Sequence, residues 1–389
     1  MTLADDTAAT PIATAPPAVR RLTVFAVEDT SVQLTWAALG PGPVRVRAGD
    51  ATVELATDGG PGGVVVDGLP SDQPIELVLT GEGVPGGRMT TATRTLRPPP
   101  GEELYRLATV SDLHIGSASF GHRRTIIETD RPVVPAPIRC AAAAIVDLKA
   151  WRAERLGVKG DVTHRSDPWD WRSFGHLMAD VGMPVDVLPG NHDQVSHRTI
   201  DAVDGARAAG HELVEGVRSV DLPGLRLVLV DATAPGTHHG QVRTHTGEVI
   251  AAVRDAPHGV LMAMHHQLQA HTVTEIWPPG IPTQASRRFL DAVGEAHPHT
   301  LITSGHTHRH RRWTRGPVTV TQVGATKDYP GVWAGYVVHE GGIRQVVRRI
   351  TVPECIVWTE RTRAAALGLW PVIASGRLSS RCFTLDWTR

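Results

Sequence analysis

The stretch Leu188-Pro189-Gly190-Asn191-His192-Asp193 presents an amide, an imidazole and a carboxylate in succession behind a Pro-Gly turn. Three polar side chains crowded into a tight turn add little to packing. The order makes chemical sense if Asn191 offers a carbonyl oxygen to a metal while His192 stands beside it as a proton donor oriented by Asp193. Four further polar clusters follow apolar runs. Ser111-Asp112-Leu113-His114 comes after Tyr105–Val110, and Gly160-Asp161 after Leu156-Gly157-Val158. His265-His266 follows Val260–Met264, and Ser304-Gly305-His306-Thr307-His308 follows Leu301-Ile302. In an extended chain side chains repeat every second residue, so Asp112 and His114 would point together, as would His306 and His308. Any one cluster has an ordinary structural explanation. Five at successive strand ends form a joint signal for a metal site.

The elements that must position these clusters alternate between strand and helix. Strands are predicted at Tyr105–Val110, Val185–Leu188, Leu225–Val230, Val260–Met264, Thr300–Thr303, Val318–Val323, Val332–His339 and Ile343–Ile350. Helical spacing is predicted for Ile138–Arg155, Trp169–Val181, Arg198–Ala209 and Gln284–Glu295. The pattern implies an α/β sandwich of mixed sheets flanked by helices, with its sites at strand ends.

Residues 20–96 have a different texture. Seven short strand-like runs, beginning with Leu22–Val27 and Val32–Trp36, are separated by Gly, Pro and Asp turns. Such spacing predicts a small all-β sandwich with Trp36 in its core. Residues 97–101, Arg-Pro-Pro-Pro-Gly, read as a stiff linker. A second, larger domain is expected over 102–352, and 353–389 form a C-terminal extension in which 358–367 have helical character and 382–387 read as a terminal strand.

With 389 residues and 41% hydrophobic content, the chain can bury a large core in two domains. Its 39 basic and 40 acidic residues leave no global field for nucleic acid, and no basic stripe accompanies the clusters, so a stable nucleic-acid partner is not expected. The three cysteines show no CxxC spacing and read as reduced structural thiols. Residues 1–19 lack a basic start and an apolar stretch, which predicts a disordered leader rather than a signal peptide. No run is long enough to span a membrane, and a cytoplasmic location is expected.

The ordered motifs DxH, GD, GNHD, H and GHxH resemble those of the calcineurin-like metallophosphoesterases over roughly residues 105–350. The resemblance implies a four-layer sandwich and two metal ions. Asp112, His114 and His308 would hold one, Asn191, His265 and His306 the other, and Asp161 would bridge them. It implies a metal-bridging hydroxide as nucleophile, His192 as general acid and Asp193 behind it. Nitrogen and oxygen ligands without thiolate suit Mn, Fe or Zn. His265 is taken as the ligand of its pair, with a supporting role for His266 as the alternative.

The β unit ahead of the catalytic domain resembles a fibronectin type III-like domain, an arrangement also found in purple acid phosphatases. Those enzymes place a tyrosine three residues after the bridging aspartate, and here that position is His164. The GDVT and HHQLQ stretches look closer to class III cyclic nucleotide phosphodiesterases. A small phosphate ester, with a cyclic nucleotide as the leading class, is the expected partner. An acid-phosphatase-like monoesterase and a non-catalytic metal-containing binding protein stay open, as does a homo-oligomer. Trp169, Trp171, Trp277 and Trp333 are candidates to stack a base. His122–Pro137 are expected to contribute to a lid, and Lys327–Gly331 to line the pocket.

Overall fold

A computed structural model describes residues 22–121, 124–129, 132–194, 198–271 and 278–388. The expected leader and Trp277 lie outside them, as do parts of the expected lid.

The N-terminal unit is all β but not a set of seven short strands. It has five: β1 (Leu22–Val27), β2 (Val32–Ala48), β3 (Ala51–Val66), β4 (Pro74–Thr80) and β5 (Arg88–Arg94). The Gly and Pro residues that look like turn signals lie inside one long hairpin, where β2 and β3 pair through Pro41↔Asp58 and Gly42↔Thr57. Positive φ at Gly42 (126°), Gly59 (97°) and Gly60 (89°) lets the ribbon bend there instead of ending. β1 pairs with the first half of β2 and β4 with the second. Val32, Leu34 and Trp36 from one half thus share a core with Val46, Leu77 and Leu79 from the other.

The larger unit starts with β6 (Glu103–Val110), a short ribbon of β7 (Ser119–Phe120) and β8 (Ile126–Ile127), and helix α1 (Ala136–Ala150). It continues through β9 (Arg155–Lys159), α2 (Pro168–Met178), β10 (Val185–Leu188) and α3 (Ala202–Ala208). Asp167 caps α2 by accepting from Trp169 N at 2.8 Å, with Pro168 at the first helical position. Next come β11 (Val217–Leu222), β12 (Leu225–Val230), α4 (Thr246–Arg254), β13 (Gly259–Met264) and α5 (Thr283–Ala296). The last strands of this half are β14 (Thr300–Ser304), β15 (Arg311–Arg315), β16 (Val318–Gln322), β17 (Val332–His339) and β18 (Gly342–Arg349). Sequence periodicity did not reveal β11, β15 or α4.

Two six-stranded mixed sheets result, ordered β10-β9-β6-β17-β18 plus one C-terminal strand, and β11-β12-β13-β14-β16-β15. The second sheet is buried on both faces, and alternation assigns each side chain. Leu227, Leu229, Leu261 and Ala263 join the core shared with the first sheet. Val228, Val230, Val260, Met262 and Met264 instead pack with Val249 and Val253 of α4 and Phe289 of α5. With α1 packed on the first sheet's core, the layers run helix, sheet, sheet, helix.

The C-terminal segment is woven into this body. It forms α6 (Pro353–Thr362), α7 (Trp370–Ala374), α8 (Leu378–Arg381) and β19 (Phe383–Asp386), which pairs antiparallel with β18. The helix expected at 358–367 therefore starts earlier, with Pro353 in its first turn, and has ended by Ala366 and Leu367, whose φ values are 51° and 56°.

The β unit is docked, not tethered. Phe25 and Ala26 belong to the catalytic unit's core, and Gln33 exchanges bonds with the Arg349 backbone at 2.7 and 2.8 Å. Buried Glu28 accepts from Trp151 Nε1 at 3.1 Å and pairs with Arg348 and Arg344. Burial alone would raise the Glu28 carboxyl, but the two guanidiniums and the indole N–H outweigh it and hold it below the ordinary range. Glu28→Ala, which leaves buried guanidinium charge uncompensated, is expected to cost about 3–5 kcal/mol in urea unfolding at neutral pH. Because the folded value is depressed, this stabilisation is complete above the unfolded glutamate pKa and disappears as pH falls through the folded one. The wild-type advantage over the variant should therefore shrink in acid; a constant difference would remove Glu28 as its source.

Candidate metal centre

Each polar cluster sits where a strand ends. β6 delivers Asp112 and His114, β9 Asp161, β10 Asn191 and His192, β13 His265, and β14 His306 and His308. The paired residues do not converge by strand alternation. Asp112, His114, Asp161, His306 and His308 have left-handed φ values of 55°, 47°, 49°, 64° and 52°. Such positions cost on the order of 1–3 kcal/mol each for side chains of this kind and persist where neighbours over-determine them. Here the loops are stitched together: His114 N donates to Asp161 O at 2.8 Å, and Gly305 N to His265 O at 3.0 Å. Gly190 is obligatory because a Cβ there would strike the Asp161 carboxylate.

The structure brings all seven expected ligands to one buried centre. Asp161 Oδ2 lies 3.5 Å from His114 Nε2, while its Oδ1 lies 3.3 Å from His265 Nε2. On the first side, His308 Nε2 is 3.3 Å from Asp112 Oδ1 and 3.4 Å from His114 Nε2. On the second, His265 Nε2 is 3.3 Å from Asn191 Oδ1, and the His306 ring is 5.1 Å from the His265 ring. The rings are held from behind: His265 Nδ1 by Lys159 O at 2.7 Å, His308 Nδ1 by Asp328 at 2.6 Å, and His306 Nε2 by Pro279 O at 3.0 Å. Carbonyl and carboxylate partners of this kind aim the opposite nitrogen inward, as metal-ligating imidazoles require. His266 is also fully buried, its ring 4.6 Å from that of His306 and 5.0 Å from that of His265, so the three imidazoles form one group.

Electrostatics test whether cations fit. Burial disfavours charge on His265, yet Asp161 and Asp112 outweigh it and lift the imidazole to about 9. Burial likewise opposes charge on His308, and Asp328 and Asp112 lift it to about 10. His114 and His306 stay neutral, pushed down first by burial. The carboxylates therefore draw positive charge into a buried centre where metal cations would displace the inward protons of His265 and His308, which is the donor chemistry of a metal site.

The proton-donor pair needs correction. Asp193 is fully buried, but it does not face the His192 ring. Its oxygens accept from Thr163 N and Oγ1 at 2.8 and 2.9 Å, from Gly190 N at 2.9 Å and from Val162 N at 3.2 Å. Four donors on the GD and GNHD loops draw the carboxylate away, so it ties the two loops together. The partner of His192 Nδ1 is the His164 carbonyl, at 3.3 Å. The base-stacking candidates fare similarly. Trp171 and Trp333 are buried in the core, and Trp169 is 67% exposed on α2.

A cavity of about 640 Å³ opens over the centre. His114, Asp161, Asn191, His192, His306 and His308 line its floor, and Phe120, Arg124, Lys327 and Trp370 its walls. Arg124, within the expected lid, and Lys327, within the stretch expected to line the pocket, were foreseen as loop contributors. Trp370 and His238, whose Nδ1 is 3.1 Å from Asn191 Nδ2, were not. The adjacent His238-His239 in a Gly-flanked loop was the available signal for the latter. Buried Lys159 was also missed; its Nζ donates to Thr303 Oγ1 at 3.0 Å and Ser304 O at 3.2 Å, joining the two sheets below the centre.

No family model matches the chain. It is 23% identical over 234 residues to a probable cyclic nucleotide phosphodiesterase of Synechococcus, covering 59% of this chain and 85% of the relative. A cAMP/cGMP dual specificity phosphodiesterase of Mycobacterium tuberculosis is 27% identical over 121 residues, 30% of this chain and only 37% of that protein. Among solved structures, a dimetal phosphatase from Danio rerio matches with a TM-score of 0.46 and 14% identity, covering 64% of this chain and 99% of that one. Among the described residues, no helix is long and apolar enough to cross a membrane. With five ordered motifs converging between two mixed sheets, and with these sequence relatives, the chain is similar to calcineurin-like metallophosphoesterases.

Proposed function

We propose that the protein is a dinuclear-metal phosphodiester hydrolase with a cyclic nucleotide as its leading substrate class. The Asp161 carboxylate carries the reading, because its two oxygens face imidazoles of two different clusters. In this assignment Asp112, His114 and His308 hold one ion, Asn191, His265 and His306 the other, and both share Asp161. Imidazole, carboxylate and amide donors suit Mn, Fe or Zn. When bound, such a pair supplies Lewis acidity and activates water for in-line attack on phosphorus.

The remaining chemistry belongs to side chains of the chain itself. The His164 carbonyl accepts from Nδ1–H of His192 and so fixes its tautomer, which leaves Nε2 to carry the proton for the departing alkoxide. Burial lowers the His192 pKa, partly countered by Asp161, and that makes the imidazolium a readier donor. Lys327, buried at the wall, and Arg124 add positive charge for the non-bridging phosphate oxygens. The same two cations would also serve a doubly charged monoester, so a phosphomonoesterase is the second reading. The cyclic nucleotide class rests on what the cyanobacterial and mycobacterial relatives are named for.

Metal-loaded protein should hydrolyse bis(p-nitrophenyl) phosphate and lose that activity to a chelator. On a cyclic nucleotide, whose leaving group is an alkoxide, His192→Ala is expected to lower kcat by about 10²–10⁴, with a smaller loss on the p-nitrophenyl ester, while bound metal, read by elemental analysis, stays at the wild-type level. Loss of metal along with activity would make His192 structural. Asp161→Asn should reduce both bound metal and turnover, since one carboxylate serves two ions in this assignment; unchanged stoichiometry would contradict the shared role. Cleavage of monoesters with none of any diester would hand the site to the second reading.

A further inference from the structure

We propose that the C-terminal segment sets substrate specificity. Trp370 and Ile373, together with Phe120, form an apolar wall that receives a flat ring carried by the ester, of which a nucleobase is the biological example. This rests on the hydrolase reading.

The wall begins at the metal centre itself. The Phe120 ring lies over His308 at 6.0 Å with only 25° between planes. Trp370 meets Phe120 at 5.3 Å, and Ile373 and Ala366 extend the same side of the cavity. The indole is fixed at both ends: Nε1 donates to Tyr329 O at 3.1 Å, and the Arg309 guanidinium lies 5.8 Å from its centroid. Other lining is polar, with the His164 and His238 rings 5.0 and 6.0 Å from that of His192. A substituent on phosphorus must therefore turn either toward histidines or toward a rigid aromatic surface. An apolar ring is favoured on the second, where ring centroids 4.5–7 Å apart attract beyond area burial alone. The cavity's 640 Å³ is ample for a nucleotide.

The experiment holds the leaving group constant. Wild type, Trp370→Ala, Phe120→Ala and Trp370→Phe are compared on bis(p-nitrophenyl) phosphate, whose retained group is a ring, and on methyl p-nitrophenyl phosphate, whose retained group is a methyl. Trp370→Ala should raise KM for the aryl ester about tenfold with kcat little changed and leave kcat/KM for the methyl ester within about twofold, while Phe120→Ala should raise the aryl KM similarly. Trp370→Phe, which keeps a flat surface, should retain most of the preference. In parallel, calorimetry on metal-loaded protein should show Trp370→Ala weakening AMP about tenfold without changing the affinity for inorganic phosphate. Equal losses on both esters, or AMP binding as tight as wild type, would overturn the wall. A wild type inactive on both esters would overturn the hydrolase reading, and the AMP and phosphate titrations would still decide the wall.

Discussion

Two buried carboxylates govern the catalytic half of this molecule. Asp112 and Asp161 are 0% and 1% exposed, and an isolated buried carboxylate is costly enough to neutralise. They remain ionised because the loops fold around them. Asp112 accepts from Ser111 Oγ at 2.6 Å and His306 N at 3.1 Å, and Asp161 from His192 N at 2.8 Å. Each bond joins a ligand-bearing loop to a carboxylate, most of them on a different strand. The left-handed φ values at five of these residues are the local consequence: the backbone is forced to turn its amides and its side chains toward the same charges.

The supports below follow the same logic. Asp193 spends its oxygens on four donors and so fixes the GD loop against the GNHD loop. Lys159 bridges the sheets under the centre with its ammonium, and burial pulls its pKa to about 7, against the pull of Asp112. Asp328 turns the His308 ring through Nδ1. None of these groups need touch a substrate. They fix the angles at which others do, which is what separates a reactive centre from a merely polar one.

The legible parts of the sequence were those governed by local rules. Val228 and Leu229 alternate between cores as a two-residue period requires, and the strands carrying the motifs fall within a residue or two of their expected places. The seven ligand candidates stand out in the sequence because metal chemistry restricts residue type so tightly, and the fold brings their side chains together. The failures share one cause, contacts between residues distant in the chain. Asp193 looks like a partner of His192 because it is adjacent in sequence, yet Thr163, 30 positions away, claims it. Gly40 through Gly60 carry turn signals that the β2–β3 pairing absorbs as a bend. The tandem prolines at 98–100 read as a spacer, while Glu28 and Gln33 bind the two units through partners more than 300 positions distant.

The same distinction separates the reaction from its selectivity. Five short motifs can be recognised wherever they occur, because each must present a ligand at a strand end. Trp370 has no such signature. Its place over the cavity depends on α6 ending after Thr362, on the left-handed turn at Ala366 and Leu367, and on the Tyr329 carbonyl that receives its N–H. Phe120 reaches it from a two-residue strand some 250 positions earlier, and β19 holds the segment's far end to the first sheet. A pocket wall assembled from such parts can change its shape while every ligand stays in position.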